Sequence, residues 1–174
     1  MWRIDNRKGL AMKKRFGVTL TLMLLLTCSH ALSAPRDDIA TLSAFQRVMS
    51  DLTNDFVALS TRFQESRDVK SSDISNTLGD AALVTQLQLE LLKDSVVGMG
   101  LLKCDRASQD YFKQVTRERL GNGGVIAFLD LKIREISTSM SFASDPRLIA
   151  QAERFRQILR NIREAIVSMR SRYT

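Results

Sequence analysis

The fold is decided by the stretch DPRLIAQAERFRQILRNIREAIVSMR, residues 145–170. Its apolar side chains recur at alternating steps of four and three residues, which places them on one stripe of an α-helix. Asp145 suits the N-cap position, and Pro146 suits the first helical position, where the missing N–H has no partner to lose. The stripe consists of Leu148, Ala152, Phe155, Leu159, Ile162, Ile166 and Met169. Such a stripe favours coiled-coil-like packing against other helices.

The same spacing recurs twice upstream, over residues 37–67 and around residues 126–140. The first stripe is Leu42, Phe45, Met49, Leu52, Phe56, Leu59 and Phe63. The other is Ile126, Leu129, Ile133, Ile136 and Met140. A shorter helix precedes it, and either Asp105 or Ser108 is suited to cap that helix. The run Gly121-Asn122-Gly123-Gly124 between them predicts a break or a kink, because glycine is unfavourable inside helices.

The segment of residues 72–97 differs, because apolar residues cover most of its circumference. The predicted core stripe is Ile74, Leu78, Ala81, Val84, Leu87, Leu91, Leu92 and Val96, widened by Leu83 and Leu89. A helix of this kind is either the central element of a bundle or supplies a face to another chain. Gly98 and Gly100 are expected to end or loosen it.

The fold predicted from these segments is all-α. We expect an antiparallel bundle of four main helices, the third interrupted or kinked at Gly121–Gly124. No alternating β-branched run bounded by turn residues occurs after residue 33, so no strand is predicted. Residues 34–174 are expected to form a single domain.

Residues 1–33 have the pattern of a secretory signal peptide, and Met12 is a plausible true start. Lys13, Lys14 and Arg15 precede the uncharged, mostly apolar run of residues 16–26, which is too short to span a bilayer. Small side chains then allow cleavage before Ala34, or alternatively before Leu32. We therefore expect an exported protein, periplasmic in a Gram-negative bacterium or otherwise secreted.

Two cysteines bear on where the protein resides and how it reacts. The sequence before Cys28 resembles a lipoprotein box, and acylation there would tether the protein to a membrane; without it no membrane association is expected. Cys104 would be the sole cysteine after cleavage. A sole cysteine is either a buried thiol, an intermolecular disulfide or a reactive group.

The net charge of +7 would suggest nucleic-acid binding, but its location argues against that partner. Six of the 26 basic side chains and one of the 19 acidic ones lie in residues 1–33, which leaves 20 against 18 in the remainder. The predicted mature chain is therefore nearly neutral, and no nucleic-acid partner is expected.

The candidate site residues point to binding rather than catalysis. Export would remove His30, the only histidine, so we expect no enzyme activity, no metal site and no cofactor. Arg156, Arg163 and Arg170 are spaced seven apart on one helix face, either as a surface for a partner protein or as a solvated face. The leading hypothesis is an exported helical protein that binds another protein as an adaptor, inhibitor, chaperone or assembly factor. The alternative is an extracytoplasmic carrier or sensor with an apolar cavity; homo-oligomers fit either.

Overall fold

The computed structural model describes residues 7–101, 105–121 and 123–173, with side chains described from Arg36 onward. Within these residues the chain is helical and contains no strand. The five helices are α1 (Arg7–Glu65), α2 (Val69–Leu101), α3 (Arg106–Leu120), α4 (Val125–Phe142) and α5 (Pro146–Tyr173). The predicted all-α fold is thus confirmed, and the helices pack as a helical bundle.

The predicted leader falls mostly on residues about which the structure says little. Residues 1–6 lie outside the described part of the chain, and residues 7–35 belong to α1 without described side chains. The signal peptide and the lipid site at Cys28 therefore stay predictions. Cys104 also lies outside the described residues. Among the helices that the structure describes, none combines the length and apolar character of a membrane span.

A tight turn joins α1 to α2. Arg67 adopts a left-handed backbone conformation with φ of 59°. Its N–H donates to the carbonyl of Gln64 at 3.0 Å, and the N–H of Asp68 donates to that of Phe63 at 2.8 Å. This is the Schellman arrangement that closes a helix C-terminus. The Asp68 carboxylate also accepts from the N–H of Ser71 at 3.1 Å, so one residue closes α1 and caps α2. Hydrogen bonds from Ser71 lower the pKa of Asp68.

Arg67→Gly is expected to raise the free energy of unfolding by about 0.5–1 kcal/mol. Left-handed backbone is unfavourable for residues with a Cβ, and glycine is the usual residue at this position. Denaturant unfolding measures the change. Arg62→Gly, three residues from the end of α1, is the matched control and should instead destabilise by about 0.5–1 kcal/mol. A loss of stability in Arg67→Gly would contradict the assigned turn.

Helices α1 and α2 run antiparallel and pack closely. Near the turn, the hydroxyls of Ser60 and Ser72 are 2.9 Å apart and buried. Farther along, Nζ of Lys93 donates to Oε1 of Gln46 at 2.6 Å. Gly79 of α2 faces α1 so closely that a Cβ there would lie 3.4 Å from the Cβ of Phe56. Small residues on α2 therefore bring the two backbones together.

The core face of α2 differs from the predicted stripe. Of the predicted residues, Val84, Leu87 and Leu91 are 39–49% exposed. The buried positions are Ser71, Ser72, Ser75, Leu78, Gly79, Ala82, Thr85, Leu89, Leu92, Ser95 and Val96. Several are polar, and Thr85 satisfies its hydroxyl by donating to the carbonyl of Ala81 at 2.7 Å. The prediction was right for four of its residues, which are buried: Leu78, Leu89, Leu92 and Val96. It was wrong for four others, which are exposed: Leu83, Val84, Leu87 and Leu91. Small residues that fit the close approach of α1 occupy the remaining core positions.

Helix α2 continues through Gly98 and Gly100 to Leu101, so neither glycine ends it. The loosening that was the other expectation stays a prediction. The structure supplies a packing reason for glycine at the first position. A Cβ on Gly98 would lie 2.5 Å from the ring of Phe112, so that ring rests directly against the α2 backbone. The glycine makes room for α3 rather than ending a helix.

Helices α3 and α4 both pack against α5. The helical run is interrupted between Leu120 and Val125, as the glycine-rich sequence predicted. Nε of Arg163 donates to Oδ1 of Asp130 at 2.6 Å, which joins α5 to α4. Nε of Arg117 donates to the carbonyl of Tyr173 at 2.7 Å, which joins α3 to the end of α5. These two hydrogen bonds show that α3 and α4 lie one after the other along α5 and run antiparallel to it.

The predicted stripes of α1 and α5 form the core. All seven stripe residues of α5 are buried, as are five of the seven in α1, while Phe45 and Leu59 pack against them half-buried. The rings of Phe56 and Phe155 meet with centroids 5.8 Å apart. Asp145 caps α5 as predicted, accepting from the N–H of Arg147 at 2.7 Å. The cap of α3 is Asp105 rather than Ser108.

Candidate functional site

The outward face of α2 carries four large apolar side chains over about two turns. Leu83 is 44% exposed, Val84 39%, Leu87 49% and Leu91 45%. We call these four residues the α2 patch. Leu83, Val84 and Leu91 lie three or four positions from Leu87, so each of their side chains adjoins that of Leu87 on the helix surface. Single exposed apolar residues are common on proteins, but a contiguous group is typical of a binding surface.

Carboxylates flank the α2 patch. Asp80 lies one turn before Val84, Asp94 lies one turn after Leu91, and Glu90 lies beside it; all three are exposed. Within residues 36–101, 105–121 and 123–173, none of the three carboxylates has an ion pair or a hydrogen bond from a side chain. The outward face of α2 is therefore apolar in its centre and acidic at both ends.

A shallow groove separates the α2 patch from α4. It has a volume of about 210 Å³, is open to solvent, and is lined by Val84, Ala81 and Ile136 among others. Lys132 stands at its wall, but its Nζ forms an ion pair with Glu135 at 2.6 Å. The groove therefore continues from the α2 patch toward α4 with a mixed lining, in which Asp80 and Glu135 accompany the apolar side chains and Lys132 is paired.

The three predicted arginines lie half-buried on α5. Arg156 pairs with Glu153 at 2.7 Å, and its Nη1 lies 3.4 Å from the hydroxyl of Ser137 on α4. Arg163 pairs with Asp130 of α4. Arg170 also interacts with another group of the protein. The structure thus places the first two along the contact between α4 and α5, and binding of a partner by this face stays a prediction.

A buried polar cluster, unforeseen from the sequence, joins the two ends of the domain. Asp38 is 2% exposed. Its carboxylate accepts hydrogen bonds from Nη2 and Nε of Arg172, the latter at 3.3 Å, and from the hydroxyl of Tyr173 at 2.8 Å. We call Asp38, Arg172 and Tyr173 the end cluster. Asp38 lies 134 positions before Arg172 and 135 positions before Tyr173, so no local sequence spacing indicates these contacts.

The end cluster shifts two titrations. Burial raises the pKa of the Tyr173 hydroxyl well above its ordinary value, and the hydrogen bond to Asp38 adds to the effect. The same carboxylate raises the pKa of Arg172 through its hydrogen bond to the guanidinium. The cluster therefore keeps Tyr173 neutral as a donor and Arg172 charged, which is the state that the buried carboxylate requires.

The Tyr173 pKa predicts a loss of stability in alkali. An unfolded tyrosine ionises near pH 10, whereas the folded one resists ionisation. The contribution to folding is therefore complete below pH about 10 and decreases as the pH rises above it, because the unfolded state then releases the proton first. Denaturant unfolding at several alkaline pH values measures this fall.

Tyrosine variants provide the controls for that measurement. Tyr173→Phe is expected to cost about 1–2 kcal/mol at neutral pH, since a bond to a charged acceptor is lost. The substitution should also remove the part of the decrease in unfolding free energy at alkaline pH that comes from ionisation of Tyr173. Tyr111 is 63% exposed, so Tyr111→Phe should leave the fall unchanged. An identical alkaline profile in Tyr173→Phe and the wild type would contradict the assigned role of the end cluster.

Two further observations bear on the kind of site. Within the part of the chain that the structure describes, no group of three or more His, Cys, Asp or Glu side chains is placed to hold a metal ion. Comparison with protein-family models, curated proteins and solved structures found no match to this chain. The α2 patch with its flanking carboxylates is the candidate functional site, because four large apolar side chains are exposed together there.

Proposed function

We propose that this is an exported, non-catalytic helical protein that binds another protein through the α2 patch, as an adaptor, inhibitor, chaperone or assembly factor. The observation that carries the proposal is the exposure of Leu83, Val84, Leu87 and Leu91, at 39–49% each. Burial of apolar surface is favourable by roughly 25 cal/mol per Å², so covering this face with a partner would contribute directly to affinity.

The proposed scaffold is an antiparallel bundle of four main helical segments, of which the third consists of α3 followed by α4. In support, Leu78, Leu89 and Leu92 on the opposite side of α2 are at most 1% exposed. These contacts anchor the helix that presents the patch. Sites on packed helices are held more rigidly than sites on loops. A partner would therefore meet a preformed surface.

The alternative, a carrier of a small apolar ligand, has weaker support. Grooves at the described surface hold about 210, 330 and 410 Å³ and are all open, and the two larger ones are lined mostly by polar and charged side chains. Pockets that bury a small molecule are instead concave and predominantly apolar. Native mass spectrometry separates the two proposals, because a carrier retains a bound lipid or small molecule and a docking protein does not.

Photo-crosslinking in the expressing cell tests the proposed function. A photoreactive amino acid in place of Leu87 is expected to form an adduct with a distinct partner protein. The matched control is the same substitution at Val167 of α5, which is 45% exposed and lies on another helix. A partner adduct at Leu87 and none at Val167 supports the proposal. Adducts of equal yield at both positions, or none at either, would overturn it.

Export is part of this proposal and has its own test. The leader pattern predicts that protein recovered from the expressing cell begins at Ala34, as an intact mass measurement would show. A mass that includes an acylated Cys28 as the first residue would replace secretion by a membrane tether. Recovery of the chain with residues 12–33 intact would contradict export.

A further inference from the structure

We infer that the partner of the α2 patch is a basic amphipathic helix, whose cations lie opposite Asp80 and Asp94. This inference rests on the proposed function and adds the chemistry of the partner. It combines the periodicity of the exposed face with the charges at its two ends. Each is a separate observation, and together they define a surface with an apolar centre and acidic limits.

The exposed face of α2 has the spacing of a helix-pairing seam. Asp80, Val84, Leu87, Leu91 and Asp94 follow one another at steps of four, three, four and three residues. Such steps keep a line of side chains facing one neighbouring helix. The three central positions are apolar, and the two outer positions are carboxylates fourteen residues apart, which corresponds to about 21 Å along the helix. A helix laid along this line meets apolar groups first and one carboxylate at each end.

The carboxylates at the ends are available to a partner. The nearby cation Lys93 donates to Gln46 at 2.6 Å, and Lys132 pairs with Glu135 at 2.6 Å. Glu90 lines the same groove as Arg47, on the side toward α1, so it lies beside a cation of this chain. Asp80 and Asp94 thus have no ion-pair partner among the described side chains and can pair with a cation from outside the chain, a complementarity by which surfaces select partners.

A second copy of this chain fits the face poorly. Two α2 helices related by a twofold axis at Leu87 would place Asp80 of one opposite Asp94 of the other, at both ends of the contact. A parallel pair would place each of these aspartates opposite its own equivalent. Like charges opposed across an interface repel and select against that pairing. The basic helix α5 of a second copy offers Val167 as the one large apolar side chain exposed among its described residues, so it lacks the apolar complement.

An anionic membrane surface fits no better. Interfacial helices present lysine or arginine beside their apolar face, because these cations are attracted to anionic lipid headgroups. The exposed face of α2 carries aspartates beside its apolar residues, so an anionic membrane surface would repel this face. A basic helical segment of another protein is the occupant that satisfies both the apolar centre and the acidic ends.

Peptide binding to the protein as recovered from the expressing cell tests the inference. The probe is a fluorescent, designed helical peptide with leucines at steps of three and four over two turns and a lysine at each end, fourteen positions apart. Its matched control carries glutamate at those two ends. We expect the lysine peptide to bind at least about tenfold more tightly, by anisotropy, with an affinity that falls as salt is added. Asp80→Lys combined with Asp94→Lys should reverse the preference, and Leu87→Ser should weaken both peptides.

The outcomes separate this inference from the proposed function. Equal binding of the two peptides, or no binding of the lysine peptide, overturns the basic partner. If the Leu87 crosslink to another protein persists in that case, the proposed function stands with a partner of different chemistry. Concentration-dependent dimerisation that Leu87→Ser abolishes would show that a second copy covers the face, and would overturn the inference. Binding to anionic vesicles, but not to the peptides, would overturn it in favour of a membrane.

Discussion

Phe56→Ala is expected to lower the free energy of unfolding by about 3–5 kcal/mol. Phe56 is fully buried where α1, α2 and α5 meet. Its ring lies 5.8 Å from that of Phe155, and its Cβ closes the contact with Gly79. Alanine would remove the ring and leave a cavity that the rigid backbones of α1 and α2 cannot collapse to fill. Chemical denaturation with an unchanged m-value would measure the loss.

The neighbouring residue is the control for this substitution. Val57 follows Phe56 on the same helix and is 56% exposed, so Val57→Ala should change stability by less than about 0.5 kcal/mol. Leu159→Ala, in the buried stripe of α5, should cost about 2–5 kcal/mol. Arg163→Ala should stay near about 0.5 kcal/mol, because its ion pair with Asp130 is partly exposed. Equal losses at Phe56 and Val57 would mean that the buried face of α1 is assigned wrongly.

The sequence predicted the core stripes of α1 and α5 well because their apolar and charged residues separate cleanly around the helix. It placed the first helix at residues 37–67, whereas α1 begins at Arg7. Helix α2 shows the limit of this signal. Leu87 and Leu91 look like core residues and lie outside, whereas Ser75 and Thr85 lie inside. Periodicity reports only where apolar residues lie, and it cannot show that a close neighbouring backbone selects small side chains. The prediction therefore failed most on α2, the helix in which some buried residues are small and polar while some exposed residues are large and apolar.

The candidate site was predicted only in part, because periodicity shows which residues share a helix face but not what lies opposite that face. The unusual apolar coverage of α2 indicated either a central helix or a face for another chain. Helix α2 packs against all four of the other helices, which fits the first possibility. Its exposed leucines leave the second as a proposal. The end cluster had no such signal, since Asp38 and Arg172 are ordinary charged residues far apart in the sequence. The spacing of Arg156 and Arg163 defined a helix face but not what lies opposite. Only the packing of α4 against α5 placed Ser137 and Asp130 there.

The second large effect is expected at the joint between α3 and α4. Gly124→Ala should lower the free energy of unfolding by about 2–4 kcal/mol. A Cβ at this position would lie 2.1 Å from the carbonyl oxygen of Arg119 and 2.7 Å from that of Glu118. Both atoms belong to the backbone at the end of α3, so neither can rotate away. The joint would have to open, which would weaken the hydrogen bond from the N–H of Gly124 to the carbonyl of Gly121, now 3.0 Å.

The adjacent glycine makes the test specific to sterics. A Cβ on Gly123 would have no atom within 4 Å, so Gly123→Ala should change stability by less than about 0.5 kcal/mol. Because an opened joint would displace α3, the hydrogen bond from Arg117 to the carbonyl of Tyr173 should weaken in Gly124→Ala. Amide hydrogen exchange should then accelerate in α3 more than in the middle of α5. Equal stability losses in the two variants would show that flexibility of the glycine run, rather than close approach at Gly124, determines the joint.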